Sequence, residues 1–509
     1  MASKVFSATT FGMEGKIIEV EVDTSPGQPV FNIVGLPDTA VKEAKDRVSS
    51  AIKNSDLRPP HFFGRITVNL APADLKKEGP AFDLPIAIGF LLASEQLSKI
   101  PKDSVFLGEL ALNGDLRRIK GVLPITLSLK DKGIKNIFLP AEVAEEANFV
   151  EEINIIPIKS LKHIFEILDG KIPIKPLKKK SFSQENLKPI DNPFDFCFIK
   201  GQEHAKRALE IAVAGGHNII LSGPPGSGKT MLAKSVCSIM SPMTKEESFE
   251  VTKLYSIAGL TNAEKPLIFN RPFRSPHHSA SAVSLVGGGS FPKPGEISLA
   301  NRGVLFLDEF PEFSREVIEN LRQPLEDGKV SIARAQGSLT FPANFILIAA
   351  MNPCPCGNAS SPQKQCTCTP VQISRYKRKI SGPIMDRIDL HIEVPLIKFE
   401  KLSQDELSEK SENARQRILE TREIQLQRFN NSSVLLNSEM ENKHIREFCK
   451  IGIEEKNLLR NAIDKMNLSP RAYHRLLKVA RTIADLEKSE NIQVPHLAEA
   501  IQYRFREEN

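Results

Sequence analysis

Gly223-Pro224-Pro225-Gly226-Ser227-Gly228-Lys229-Thr230 decides how this chain is read. The stretch satisfies G-x-x-x-x-G-K-[ST] at every fixed position. Before it, His217-Asn218-Ile219-Ile220-Leu221-Ser222 has the make-up of a short strand, and after it Met231-Leu232-Ala233-Lys234 opens a helix. Strand, glycine loop and helix in that order form a phosphate cradle. The glycines let the backbone approach, and amide N–H groups at the helix N-terminus meet the negative charge. Lys229 would reach the β- and γ-phosphates of ATP, and Thr230 would ligate Mg2+.

Further along, Gly303-Val304-Leu305-Phe306-Leu307 runs into Asp308-Glu309. A continuous apolar run is the signature of a strand buried on both faces, and such sheets place ligands beyond the carboxyl ends of their strands. Asp308 would help hold Mg2+, while Glu309 would orient and activate the attacking water. Phe345-Ile346-Leu347-Ile348-Ala349-Ala350-Met351-Asn352 repeats the pattern with an amide at its end, making Asn352 the candidate sensor of the γ-phosphate. Arg387 precedes the strand-like Leu390-His391-Ile392-Glu393-Val394. Arg471 opens a helix for which Ser469 is the expected N-cap and Pro470 the first residue. An arginine reaching a neighbouring subunit's phosphates would neutralise transition-state charge; a surface ion pair is the alternative for each.

The 509 residues exceed what one core usually serves. With 68 Lys+Arg against 62 Asp+Glu, the net charge of +6 is too mild to announce nucleic acid by itself. No run of about 18 apolar residues suggests a membrane span, and the first residues lack a secretory h-region. A cytoplasmic protein is expected. Residues 1–165 mix alternating strands, such as Lys16–Val22 and Arg65–Leu70, with helices over 38–55 and 84–97, so an α+β domain is expected there. Prolines and Lys178-Lys179-Lys180 mark 166–195 as a linker, with a polyanion contact as the second reading of the lysines. Residues 196–396 alternate strands and helices as a three-layer α/β core, and 397–509 read as a helical lid.

Four of the seven cysteines crowd together as Cys354-x-Cys356 and Cys366-x-Cys368. Four thiolates can close a tetrahedral Zn2+ site, although the C-x-C spacing is tighter than usual; free thiols are the alternative. Two segments could track a phosphate backbone without reading sequence. One carries Arg271, Arg274, His277 and His278, the histidines being possible metal ligands as well. The other is a hairpin expected from Lys329–Arg334 and Ser338–Phe341, with Arg334 near its tip.

The ordered series of phosphate loop, Asp308-Glu309, Asn352, Arg387 and Arg471 resembles the AAA+ ATPases. The stretches 271–279, 285–289 and 294–300 are similar to their magnesium-chelatase-like branch. Within that branch Ala472-Tyr473-His474-Arg475, 478–486 and the closing 496–504 resemble the ComM/YifB family nearly letter for letter. The resemblance spans almost the whole chain. It implies a homo-hexameric ring moving on single-stranded or branched DNA and driving branch migration in natural transformation. A chelatase-type or chaperone-type motor acting on a protein is the runner-up, and an ATP-switched scaffold a third reading that Glu309 argues against. The N-terminal domain resembles the Lon protease domain, of the ribosomal S5 fold. Where that family carries its serine after Gly-Pro this chain has Ala81, and Leu123 takes the place of the lysine. Without the dyad no acyl-enzyme can form, so no protease is expected.

Overall fold

The computed structural model describes residues 2–77, 79–180, 182, 194–289, 292–334, 337–360, 364–397, 408–430, 432, 434–466 and 469–504. The chain forms two compact units, Met1–Asn186 with Lys245–Ile268, and Leu187–Thr244 with Phe269–Asn509.

In the first unit, alternation in the sequence becomes alternation in burial. Ile18, Val20 and Val22 on the strand Glu14–Ser25, and Ile66, Val68 and Leu70 on Arg65–Ala71, are buried while their neighbours are not. The seven strands lie in the order Val30–Val34, Arg65–Ala71, Glu14–Ser25, Ser3–Phe11, Ser104–Phe106, Asn136–Pro140, Asn154–Ile158. The helix expected over 38–55 is two helices, Thr39–Lys42 and Ala44–Asn54. Asp38 caps the first by accepting from Val41 N–H at 2.8 Å. Val41, Ala44, Val48 and Ile52 are buried all the same.

Residues 245–268 lie in sequence between the phosphate loop and Asp308, yet they pack in the first unit. A buried carboxylate explains the placement. Glu146 accepts from Leu123 N–H at 2.8 Å, Ser256 Oγ at 2.5 Å and Thr261 Oγ1 at 2.7 Å. Burial pushes its carboxyl pKa up, and the three donors oppose the shift. Of the expected linker, residues 166–168 finish the helix Leu161–Leu168. Lys179 Nζ donates to Val150 O at 2.7 Å and Lys180 pairs with Glu145, so part of the lysine run is laid along the first unit. Residues 181 and 183–193 lie outside the described residues.

The second unit is built on a five-stranded parallel sheet, ordered Phe273–Arg274, Val304–Leu307, Ile346–Met351, Ile219–Ser222, Leu390–Glu393. Continuous apolar runs suit its interior because both faces are covered, every residue of Val304–Leu307 and Ile346–Met351 being buried. Its register pairs Leu307 with Ala349 and Ser222 with Met351, which brings three strand ends to one edge. The glycine loop, Asp308 and Asn352 follow directly. The helices Ser411–Arg428, Pro470–Leu486 and Val494–Gln502 share this unit's core. Ser469 Oγ accepts from Ala472 N–H at 3.2 Å with Pro470 in the first turn, the N-terminus expected from sequence. A buried polar knot fastens that helix to the sheet: Asp389 meets Arg475 Nη1 at 2.6 Å and His217 Nδ1 at 3.3 Å, and His217 Nε2 meets Thr482 Oγ1 at 2.8 Å. Burial would raise the Asp389 pKa, but Arg475 and His217 hold the carboxyl well below the usual carboxylate range.

Candidate functional site

The glycine loop leads straight into the helix Lys229–Ile239. Gly226 and Gly228 hold left-handed φ values of 79° and 89°, with open space where a Cβ would stand. Ser227 Oγ is buried with no hydrogen-bond partner, a polar atom awaiting a ligand. Lys229 Nζ donates to Gly223 O at 2.7 Å, Pro224 O at 3.0 Å and Asn352 Oδ1 at 3.3 Å. Burial lowers its pKa, opposed by Asp308, so the ammonium gains from a phosphate partner. Thr230 Oγ1 donates to Asp308 Oδ2 at 2.9 Å, which brings together the two side chains expected to hold Mg2+. An orphaned hydroxyl, an open glycine backbone and this oxygen pair fit a nucleotide with its cation.

Glu309 sits in the left-handed region at φ 51°, and its N–H donates to Asp308 Oδ1 at 3.0 Å. Its carboxylate lies 3.0 Å from His278 Nδ1. Sequence reasoning gave His278 a role on DNA or a metal and missed this contact, which joins residues distant in sequence. It also passed over Gln202, whose amide donates to Ser227 O at 3.3 Å and Pro395 O at 2.7 Å and so braces the loop. The one local signal was its place at the start of the helix Glu203–Gly215.

Arg387 and Arg471 converge on one carboxylate, Glu326. Arg387 is buried, with Nη2 on Glu326 Oε2 and Nη1 on Pro383 O at 2.8 Å. Arg471 is 69% exposed and reaches Glu326 Oε1 at 3.9 Å. Arg387 first, then Arg471 and Arg475, hold the Glu326 carboxyl below its ordinary pKa. Two residues beyond Asp327 the hairpin begins, Lys329–Arg334 against Gly337–Pro342, with Arg334 paired to Gly337. Residues 335 and 336 lie outside the described residues.

Arg271 and Arg274 are not free cations. Arg271 Nε donates to Ser241 O at 2.6 Å and Nη1 to Arg302 O at 2.8 Å, while Arg274 grips Glu296 through two bonds of 2.6 and 2.7 Å. Arg271 thus ties its segment to residues 241 and 302, and Arg274 ties it to Glu296. Cys354, Cys356, Cys366 and Cys368 come together with their sulfurs all within 4.8 Å of one another. In the first unit Ala81 occupies a short turn and Leu123 is buried, its N–H on Glu146.

Against known proteins, this chain is 46% identical to "Competence protein ComM" of Haemophilus influenzae, covering 98% of this chain and 97% of that one. The chain belongs to the ComM/YifB family. "Uncharacterized protein YifB" of Escherichia coli is 42% identical over 99% of this chain and 97% of its own length. Family models described as magnesium chelatase, subunit ChlI; subunit ChlI of Mg-chelatase; and magnesium chelatase, subunit ChlI C-terminal match residues 195–402, 20–143 and 408–504. "Lon protease 2" of Bacillus subtilis is 25% identical over 34% of this chain and 33% of its own. The ComM/YifB chain is a magnesium-chelatase-like AAA+ ATPase that also carries a Lon-like part. Among the described residues no helix is long and apolar enough to cross a membrane.

Proposed function

We propose that this ATPase is a cytoplasmic, homo-hexameric ring motor that moves on single-stranded or branched DNA. Its work is branch migration during recombination of strands taken up in natural transformation. The observation that carries the reading is similarity along nearly the full length to a competence protein.

The chain's own residues divide the chemistry. Thr230 and Asp308 would hold Mg2+, which neutralises charge on the β- and γ-phosphate oxygens. Lys229 exchanges the Gly223 and Pro224 carbonyls for the phosphates, and Asn352, already 3.3 Å from its Nζ, orients the γ-phosphate or the water. Glu309 takes a proton from the water as its oxygen attacks the γ-phosphorus, and the bond to the ADP oxygen breaks. Arg387 and Arg471 act on the nucleotide of a neighbouring subunit. Each must then loosen its hold on Glu326, which stands three residues before the hairpin strand Lys329–Arg334. That adjacency offers a route from nucleotide state to hairpin position, where the hairpin meets the DNA backbone.

The test is a synthetic three-stranded junction with mobile homologous arms. ATP with wild-type protein should move the branch point, and Glu309→Gln should not. Brisk hydrolysis with an unmoved junction, on every branched substrate tried, would discard branch migration as its work.

A further inference from the structure

We propose that Cys354, Cys356, Cys366 and Cys368 bind one Zn2+ ion, and that this ion braces Asn352 against the nucleotide loop. Zn–S bonds of about 2.3 Å in a tetrahedron set the sulfurs about 3.8 Å apart. The observed separations are 3.4 Å for Cys354–Cys356, 3.7 Å for Cys354–Cys366 and 3.6 Å for Cys356–Cys366, and all four sulfurs lie within 4.8 Å of one another. A disulfide would need about 2.05 Å, and the four cysteines are free.

Backbone amides complete the cage. Cys356 N–H points at Cys368 Sγ at 3.4 Å, those of Asn358 and Thr367 hydrogen-bond Cys356, and that of Cys368 hydrogen-bonds Cys366. Donors aimed at sulfur stabilise thiolates, the form that ligates a metal, and fix their direction. Four neutral thiols have no comparable reason to converge.

The position of the cluster gives the ion a second consequence. Asn352 ends the strand Ile346–Met351, and Cys354 follows it by two residues. Gly357, left-handed at φ 80°, lies so close to the nucleotide loop that a Cβ there would stand 2.6 Å from Pro225 Cδ. On the far side, Cys368 leads into the helix Pro370–Lys377 through the capping box of Thr369 and Gln372. From that helix the Tyr376 hydroxyl hydrogen-bonds the Asn352 backbone. One ion therefore ties the sensor's strand end, the turn beneath the nucleotide loop and the helix that holds the sensor from behind. Lys229 and the glycine backbone, which bind the phosphates, stand outside the cage. Loss of the ion should loosen Asn352 and spare nucleotide binding.

This second claim rests on the ATPase reading, whereas the metal claim does not, so the two are measured apart. Full-length protein purified without chelator should contain about one Zn per chain by elemental analysis, because four thiolates serve one ion. Cys354→Ser with Cys368→Ser should contain none. Its turnover should fall about 10- to 100-fold, the scale of a misplaced catalytic group, with the Kd for a fluorescent ATP analogue changed less than about threefold. Should the double variant fail to fold, wild-type protein stripped with a mercurial and then reduced serves instead; Zn2+ alone must restore its turnover. Metal-free protein at full activity overturns the proposal. Zinc-bearing protein that keeps its turnover after stripping, or loses ATP binding in step with turnover, overturns the brace.

Discussion

Replacing Arg387 by alanine separates two energies of different size. In its own chain the arginine pairs with Glu326 and donates to Pro383 O. Glu326 is 51% exposed but Arg387 only 7%, so losing the half-screened pair, the bond to Pro383 O and the packing of the arginine stem costs on the order of 1–2 kcal/mol of folding. An arginine acting on a neighbour's phosphates is worth on the order of 10³-fold in turnover, or about 4 kcal/mol at 1.4 kcal/mol per decade. Arg387→Ala should therefore melt within a few degrees of wild type and bind ATP normally, yet be almost inactive in a steady-state phosphate-release assay. Mixing it with Lys229→Ala distinguishes a contact within the chain from one across subunits. The first variant keeps a sound nucleotide loop and the second a sound Arg387. At equal mixing, half the loops are sound and half the neighbouring arginines are sound, so about a quarter of head-to-tail interfaces become complete when subunits act independently. About a quarter of the wild-type rate should then return. Energy transfer between labelled subunits must show exchange; exchange with no recovered hydrolysis would refute an arginine acting in trans.

Lys229→Ala should lose nucleotide binding, measured with a fluorescent ATP analogue, because the loop's buried cation is gone. Glu309→Gln should bind ATP tightly and turn over at least about 100-fold more slowly, and a wild-type rate would remove Glu309 from the role of base. Asp389→Asn should destabilise the second unit by about 3 kcal/mol in urea titration, since it leaves Arg475 facing a neutral partner in a buried knot. The Asp389 pKa is depressed in the fold, so its stabilisation is present in full above the unfolded carboxylate pKa and is lost as pH falls towards the folded one. The gap between variant and wild type should accordingly be flat near neutrality and narrow below about pH 4. A gap that widened in acid would contradict the assignment.

The nucleotide site was legible because its parts are local. Each of 219–222, 304–307 and 346–351 is a short apolar run that ends in or leads directly into a polar residue (Ser222, Asp308, Asn352), and parallel register alone brings those ends to one edge. The hairpin and the capped start of the helix Pro470–Leu486 were readable for the same reason, as each is encoded within a few neighbouring residues. What escaped are pairings between distant segments. Apolar residues such as Val251 and Leu254 on the helix Lys245–Ala258 show that one face is buried, but not that Glu146 and the first unit receive it. Nothing periodic announces that His278 meets Glu309, or that one Glu326 serves both Arg387 and Arg471. Nor does a basic residue among glycines and serines announce the intrachain partners of Arg271 and Arg274, carbonyls and a carboxylate 22 to 31 residues away.

The most direct test of the account is the rate of ATP hydrolysis by the full-length protein with and without DNA, at fixed ionic strength. Single-stranded and branched DNA should raise the rate several-fold and saturably. The response should be the same for unrelated sequences and weaken as salt rises, as contacts to phosphate require. A rate abolished by Glu309→Gln, yet unchanged at every concentration of every DNA, would leave an ATPase whose substrate is something other than DNA.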